Sequence, residues 1–411
     1  METRVTWGLI KMIIGNSILV NGGGNKTATW IDYKTKTAEY LIDTEGIISV
    51  VEQSEYSNFL RLKTVNFAGC SEIRNSGFFN CESLQTAIFP ECVIVSSSAF
   101  YQCSALTSIS FPICENIGAY AFGYCSSLSQ AIFPECEAIG SYAFYNTGLV
   151  SASFPVATII GSSAFAFCQS LIDIDCTSCT QLCSSAFYSC VALERVNFPL
   201  IEAIPSGAFT GCISLSSVSF PTCSIVYSYA FSECGLLTIN LSSCTSIYTG
   251  AFYNCQSLTE AIFESCLSIG SYAFRDCVQL TNVSIPLCTY LYSGAFSSCT
   301  ALTSIQLPEC SYLQSSIFYG CTSLETVTIG KATYIGGSAF YNCSKLLDLY
   351  LPGSDICSLA GSYAFYSTPI AGMTTYTGGV EGTIHVPSSL YSTYIASTNW
   401  SYFASRFVSI E

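Results

Sequence analysis

The sequence predicts a solenoid in which each coil of about 22 residues contributes one short parallel β-strand, with turn or 3-10 segments on the opposite side. Three observations predict this fold: a motif repeated at a fixed spacing, a short alternating segment inside each copy, and a proline that closes many of these segments. A repeated unit of this size cannot bury its apolar face alone. Neighbouring units must therefore stack to build one continuous core.

A phenylalanine, usually preceded by alanine, marks each copy of the repeat. Successive markers are 22 residues apart, apart from two steps of 21 and a last step of 25. The two steps of 21 fall where a copy loses one residue beside Gly148 or Gly235, because glycine permits a tighter turn. The markers are Phe78, Phe100, Phe122, Phe144, Phe165, Phe187, Phe209, Phe231, Phe252, Phe274, Phe296, Phe318, Phe340 and Phe365.

Each copy also contains a short segment in which apolar and polar residues alternate. In residues 106–112 (LTSISFP), Ile109 and Phe111 are expected to point inward, and Ser108 and Ser110 outward. Alternation with a period of two is typical of a strand with one buried face, and the following proline ends the strand because it lacks an N–H donor. The Ala-Phe-x-x-Cys segment is too short for a stable α-helix and is expected to form a turn or a 3-10 segment.

The combined pattern, Ala-Phe-x-x-Cys followed by Leu-x-x-Ile-x-Phe-Pro, recurs in register over about residues 56–387 and resembles the BspA-like family of leucine-rich repeats, the Treponema pallidum type. The resemblance implies a right-handed leucine-rich-repeat superhelix. Known members are mostly bacterial surface proteins that bind host proteins or other cells, and relatives occur in gut bacteria, their phages and some protists. The family shares no catalytic residues, so the resemblance implies binding without a cofactor.

Two segments flank the repeats of residues 56–387. Residues 1–55 are expected to form a strand-rich cap or an attachment segment, with a hairpin over 27–41, and residues 388–411 a C-terminal capping helix. Open-ended solenoids need caps because their terminal coils would otherwise expose the core. Glu2 and Lys11 interrupt the first apolar stretch, and no small-residue cleavage site follows, so this stretch makes a poor signal peptide. No apolar run is long enough to predict a transmembrane helix.

The composition excludes several classes of partner. Thirteen basic and 27 acidic residues give a net charge of −14, and only 10% of the residues are charged. A nucleic-acid-binding protein needs a basic surface, and so does a protein that binds anionic membranes. The acidic balance is expected mainly to keep an apolar-rich chain soluble.

Most of the 25 cysteines recur at two fixed positions of the repeat, where Thr147, Ala157, Ile201 or Ala332 replace them in some copies. These positions therefore require a small and mostly apolar side chain, a role that free cysteine fills. Parallel strands about 4.8 Å apart would hold the Cβ atoms of stacked cysteines farther apart than the roughly 3.8 Å typical of a disulfide. We therefore expect a ladder of buried thiols.

Candidate catalytic and metal-ligating groups are few. Cys176, Cys179 and Cys183 are clustered, but a structural zinc site needs a fourth ligand, and the only histidine, His385, is far away in sequence. His385 is expected to be an exposed strand residue. Asp173 and Asp175 lie on one strand face, where no cleft would raise the pKa of one carboxyl. We predict no enzyme activity, no metal and no cofactor.

Two surfaces are candidate binding sites. The outward side chains of the strands are mostly Ser, Thr or Asn, and one charged cluster, Asp173, Asp175, Arg195 and Asn197, is the predicted ligand-binding patch. The tyrosines beside the marker phenylalanines form the second surface. They either cover the core between coils or, because tyrosine has an apolar body and a polar tip, bind a glycan or protein.

The favoured function is a non-enzymatic adhesin that presents its repeats to host proteins or cell-surface glycans, at the cell surface or outside the cell. The alternatives are a phage virion component, such as a tail or appendage protein that binds a receptor, and an intracellular protein-interaction scaffold. The weak signal peptide favours the virion component, whereas the common role of the family favours the adhesin. The ligand, the source and the oligomeric state stay open.

Overall fold

A computed structural model describes residues 36, 38–43, 46, 48–373, 375 and 377–411. It shows a parallel β-solenoid of about 17 turns with about 22 residues per turn and little helix, which confirms the predicted fold class. The chain divides into two compact units, Met1–Phe198 (unit 1) and Pro199–Glu411 (unit 2).

The predicted strands form a row in each unit, and we call the outward surface of this row the long-strand face. Many neighbouring strands pair in parallel and in register, so that Ser151 lies beside Asp173, and Ser153 beside Asp175. In unit 1 the strands are Tyr40–Asp43, Thr64–Phe67, Thr86–Ile88, Ser108–Ser110, Gln130–Ile132, Ser151–Ser153, Asp173–Asp175 and Arg195–Asn197. In unit 2 they are Ser217–Ser219, Thr238–Asn240, Glu260–Ile262, Asn282–Ser284, Ser304–Leu307, Thr326–Ile329, Asp348–Tyr350, Thr383–Pro387 and Phe407–Ile410.

Most turns contain a second strand of only two residues, and these strands form the short-strand face. The expectation of one strand per coil is corrected here: two residues are too few to show alternation, and only one buried aliphatic residue marks each of these strands. In unit 1 they are Val50–Val51, Glu72–Ile73, Ile94–Val95, Asn116–Ile117, Ala138–Ile139, Ile159–Ile160 and Gln181–Leu182. In unit 2 they are Ala203–Ile204, Ile225–Val226, Ser246–Ile247, Ser268–Ile269, Tyr290–Leu291, Tyr312–Leu313, Tyr334–Ile335 and Ser358–Leu359.

The segment around each marker phenylalanine forms a turn, as expected, and two left-handed residues bend it. Around Phe100, the residues two before and two after the marker, Ser98 and Gln102, have φ angles of 57° and 60°. The Phe100 N–H donates to the carbonyl oxygen of Ala121 in the next turn at 2.7 Å. Hydrogen bonds between turns therefore satisfy the backbone where no strand exists.

Stacked aromatic rings fill the core. The ring of Phe100 stacks on that of Phe122 with centroids 5.3 Å apart, and its edge contacts Phe111 at 5.9 Å. Aromatic pairs in such geometries each contribute about 0.5–1.5 kcal/mol beyond the burial of their area. Phe111 is fully buried, as its strand pattern predicts, while Ile109 is half-buried between two exposed serines.

The cysteines are buried free thiols, apart from Cys183, which is half-buried. In the column that follows the marker, Cys103 Sγ donates to the carbonyl oxygen of Phe78 at 3.2 Å, and Cys277 Sγ to that of Phe252 at 3.1 Å. In the second column, Cys92 Sγ donates to the carbonyl oxygen two residues later, that of Ile94, at 3.3 Å. Cysteine therefore combines a small apolar body with a weak donor that reaches a buried carbonyl.

The segments beyond the clear repeats also contain strands of the long-strand row. Tyr40–Asp43 pairs in parallel with Thr64–Phe67, so one coil lies inside the segment 1–55 that was expected to cap or attach the solenoid. The hairpin expected over 27–41 lies mostly outside the described residues.

Residues 388–411 contain less helix than expected, since only Tyr391–Ala396 is α-helical and Trp400–Arg406 is a 3-10 helix. The final strand Phe407–Ile410 pairs with Thr383–Pro387. A further 3-10 helix spans Ser362–Phe365.

Candidate binding surfaces

The predicted patch lies on the long-strand face of unit 1. Asp173 and Asp175 project from one strand and Arg195 and Asn197 from the next, and all four side chains are exposed. The Glu194 N–H donates to the Ile172 carbonyl oxygen at 3.1 Å, which holds the start of the second strand against the first. The structure thus brings the four predicted residues together on one surface.

Among the described residues, the charged groups of the patch make few contacts with the rest of the protein. Ser153 Oγ donates to Asp175 Oδ2 at 3.5 Å, a long contact. Within the described part of the chain, no ion pair joins Arg195 to Asp173 or Asp175. Exposed charges without ion-pair partners are available for a ligand and contribute little to stability.

His385 is less exposed than its strand pattern indicated. Its side chain is 15% exposed, because its Nε2 atom lies 2.7 Å from Asp348 Oδ1 and its ring stacks on Tyr350 with centroids 4.1 Å apart. The Thr383 hydroxyl also donates to Asp348 Oδ1, at 2.8 Å. The group ties the last turns of the long-strand row together, and we assign it a structural role.

A cluster of aromatic side chains lies beside the markers of unit 1. Tyr120 and Tyr142 stack with centroids 4.6 Å apart, and desolvation raises the pKa of the Tyr120 hydroxyl above its ordinary value. Both residues have positive φ angles, of 56° and 59°, which are unusual for a bulky side chain. A cavity of about 370 Å³ opens here, lined by Phe79, Ser98, Tyr101, Tyr120, Tyr124, Tyr142 and Tyr145.

Unit 2 carries tyrosine columns on two surfaces. Beside the markers, Tyr319 stacks on Tyr341 at 5.0 Å, and Tyr341 on Tyr366 at 4.9 Å. The expected stripe of tyrosines is therefore present there and partly exposed. Whether it binds a ligand stays a prediction.

The second column of unit 2 lies on the short-strand face. Neither this face nor its tyrosines were predicted from the sequence. Tyr290 stacks on Tyr312 at 5.0 Å, and Tyr312 on Tyr334 at 4.7 Å. These tyrosines flank the buried aliphatic residue of each two-residue strand. Once a second strand is recognised, tyrosine at the same repeat position in successive copies is the signal that finds them.

The cysteine cluster considered as a metal site, Cys176, Cys179 and Cys183, forms no such site in the described part of the chain. Cys176 and Cys179 are buried, and burial raises the pKa of Cys179 to about 11. In the part of the chain that the structure describes, no three His, Cys, Asp or Glu side chains are grouped so that they could hold a metal ion. Among the same residues, no helix has the length and apolar character needed to cross a membrane.

Comparison with solved structures finds several that are similar to this chain. A leucine-rich repeat protein from Bacteroides ovatus is similar with a TM-score of 0.56 at 20% sequence identity, over 84% of this chain and 97% of that one. A leucine rich cell surface protein from Faecalibacterium prausnitzii is similar with a TM-score of 0.42 at 23% identity, over 74% of this chain and 83% of that one. The T. pallidum leucine-rich repeat protein is similar with a TM-score of 0.33 at 25% identity, over 48% of this chain and 78% of that one.

No curated protein matches this chain. A family model does match it, described as a BspA type leucine rich repeat region. The matched segments are residues 39–147, 93–204, 137–259, 180–291 and 267–379. Because together they extend over most of the repeats, the chain belongs to the BspA type leucine-rich repeat family.

Proposed function

We propose that this chain is a non-enzymatic adhesion protein that presents its long-strand face to a protein or a cell-surface glycan. The observation that carries the proposal is the face itself, on which parallel strands repeat in register and expose mostly hydroxyl and amide side chains. Extended surfaces of this kind bind large ligands through many small contacts.

The family supports this proposal in general terms. Leucine-rich repeat proteins of this type are typically surface or binding proteins, and they are typically not enzymes. Leucine-rich repeat proteins in general bind other proteins. A location at the cell surface or outside the cell follows from the proposal.

The patch of Asp173, Asp175, Arg195 and Asn197 is proposed as the centre of the interface. Two carboxylates and one guanidinium lie on neighbouring strands, and no ion pair within the part of the chain that the structure describes joins them. A partner with complementary charges would gain affinity and a faster encounter rate at this cluster of charges on a mostly uncharged face.

The virion alternative has a structural observation in its favour. The structure describes all 25 cysteines and joins none of them in a disulfide, and many donate hydrogen bonds to backbone carbonyl oxygens. Proteins of the cytosol, where virions assemble, keep their cysteines reduced. A gene for this chain located among tail or capsid genes would support the virion component over the free adhesin.

Binding of the chain to target cells tests the patch. We expect the variant with Asp173→Ala, Asp175→Ala, Arg195→Ala and Asn197→Ala to lose at least tenfold in affinity and to unfold within about 0.5 kcal/mol of the parent chain, since exposed substitutions change stability little. The matched control replaces Ser217 and Ser219, which are exposed on a strand of the same face in unit 2, by alanine. Unchanged binding by the fourfold variant would remove the patch as a site.

A further inference from the structure

Gly270 lies between larger side chains on the short-strand face of unit 2. Four positions before the markers from Phe231 to Phe318, the residues in successive turns are Tyr227, Tyr248, Gly270, Tyr292 and Gln314. The rings of Tyr248 and Tyr292 are 45% and 41% exposed. Two partly exposed tyrosines thus lie two turns apart with no side chain between them.

The gap has the thickness of one ring. Adjacent turns are about 4.8 Å apart, so the backbones that carry Tyr248 and Tyr292 are roughly 10 Å apart. In the neighbouring column, where no ring is missing, Tyr290, Tyr312 and Tyr334 stack with centroids 5.0 and 4.7 Å apart. A planar ring seated over Gly270 would therefore lie at stacking distance from the tyrosine on either side.

Glycine is required at the floor of this gap. A Cβ atom added to Gly270 would lie 2.6 Å from the carbonyl carbon of Tyr248 and 2.7 Å from the backbone nitrogen of Thr249. These are backbone atoms, which cannot rotate away. The gap is therefore a consequence of how closely the two turns approach at this position.

The sides of the gap carry hydroxyl groups. Ser246 and Ser268 precede the column by two residues, and Thr249 and Ser271 follow it by one residue. A cavity of about 310 Å³ is lined by Ser246, Ile247, Tyr248, Thr249, Ser268, Gly270, Ser271 and Tyr292. In the described part of the chain, none of these four hydroxyls donates a hydrogen bond to another protein group, so they are available to a ligand.

We propose that this cavity, the tyrosine slot, binds a neutral pyranose ring of a glycan. A pyranose has apolar C–H groups on its two faces and hydroxyl groups around its edge. The slot has the matching arrangement, with tyrosine rings at both ends and hydroxyls along both sides. Its lining holds no charged side chain, and the net charge of −14 disfavours anionic sugars.

Other occupants fit the slot less well. The side chain of a partner's tryptophan or tyrosine would satisfy the two ring faces but would use at most one of the hydroxyls along the sides. The slot lies on the short-strand face of unit 2, whereas the charged patch lies on the long-strand face of unit 1. The proposal therefore goes beyond the proposed function and does not depend on it.

Saturation-transfer NMR on the full chain tests the slot with neutral saccharides. The probes are the methyl pyranosides of glucose, galactose and mannose, together with maltotriose and triacetylchitotriose. We expect at least one of them to bind, with affinity reduced about tenfold in Tyr248→Ala and in Tyr292→Ala and retained in Tyr248→Phe, because the ring face supplies the contact.

The control is Tyr402→Ala, since Tyr402 is exposed in the 3-10 helix Trp400–Arg406 and lies outside both the slot and the tyrosines beside the markers. Circular dichroism confirms that each variant is folded. Saccharide binding that depends on Tyr248 and Tyr292 but not on Tyr402 or on the charged patch supports the proposal. It is overturned if no neutral saccharide binds, if both alanine variants bind as the parent does, or if only N-acetyltryptophanamide binds.

Discussion

Gly123 and Gly270 each interrupt an aromatic column, and of these two gaps only the one at Gly123 is filled by the protein itself. In unit 1, Gly123 lies between Tyr101 and Tyr145, and the ring of Tyr124 occupies the gap, 5.3 Å from the ring on either side. In unit 2, the residue after Gly270 is Ser271, which has no ring, and the gap between Tyr248 and Tyr292 is open. The spacing of the turns creates both gaps, and one neighbouring residue decides whether each is available to a ligand.

Both units have the same kind of core, with buried thiols, and alkaline unfolding should destabilise both units with the largest effect expected here. Burial raises the pKa of Cys136 in unit 1 and of Cys321 in unit 2 from 9.0 to about 12. The unfolded chain ionises near pH 9 while the folded chain keeps these protons, so stability is complete below pH 9 and is lost as the pH rises towards 12. Each such thiol accounts for about 4 kcal/mol of that loss.

We expect the urea midpoint of both units to fall steeply between pH 9 and 11, as followed by circular dichroism and hydrogen exchange. The control is Cys255→Ala with Cys321→Ala, which removes two thiols whose pKa burial raises to about 12 and should flatten the pH dependence. A constant midpoint over this range would show that thiol burial does not support the fold.

The substitutions Gly270→Ala and Gly123→Ala should change the free energy of unfolding by different amounts. At Gly270 the new Cβ atom would clash with backbone, and we expect the free energy of unfolding to fall by about 2 kcal/mol. At Gly123 the nearest atom, 3.2 Å away, belongs to the ring of Tyr101, which can move, so a change below about 0.5 kcal/mol is expected. If urea denaturation shows equal effects for the two substitutions, the turns do not approach more closely at Gly270 than at Gly123.

Removing the Tyr124 ring, which fills the gap at Gly123, or the Tyr248 ring, which borders the gap at Gly270, should have the smallest effects on stability. Tyr124→Gly loses two ring contacts but relieves a positive φ of 61°, so we expect a net loss of about 1 kcal/mol. Tyr248→Ala loses one tilted contact with Tyr227, at 5.2 Å, and should change stability by less than about 0.5 kcal/mol. A larger loss for Tyr248→Ala in thermal unfolding would mean that its ring is part of the structure and not of a binding site.

Much of the fold could be predicted because a fixed period leaves few arrangements. Once Phe111 must face the core, the register of Ser108 and Ser110 follows from strand alternation, and stacking of copies places the cysteines in columns. The second strand of each turn could not be predicted, since its pairing depends on backbone hydrogen bonds between turns and not on a pattern within two residues.

The candidate sites divide in the same way. The patch of Asp173, Asp175, Arg195 and Asn197 could be placed on one face because its residues alternate on adjacent strands, but its ligand stays a prediction. The tyrosine slot could not be found from the sequence, because it depends on what Gly270 lacks and on the distance between turns. The partial burial of His385 likewise depends on a neighbouring strand, through Asp348 and Tyr350.

A crystal structure of the chain grown with the best-binding neutral saccharide tests the central claim most directly. The account predicts one pyranose ring over Gly270, between the rings of Tyr248 and Tyr292, with its hydroxyls near Ser246, Ser268, Thr249 or Ser271. It also predicts no sugar at Gly123, where Tyr124 already fills the gap. A slot closed by rotation of its own tyrosines, or a saccharide bound only elsewhere, would contradict it.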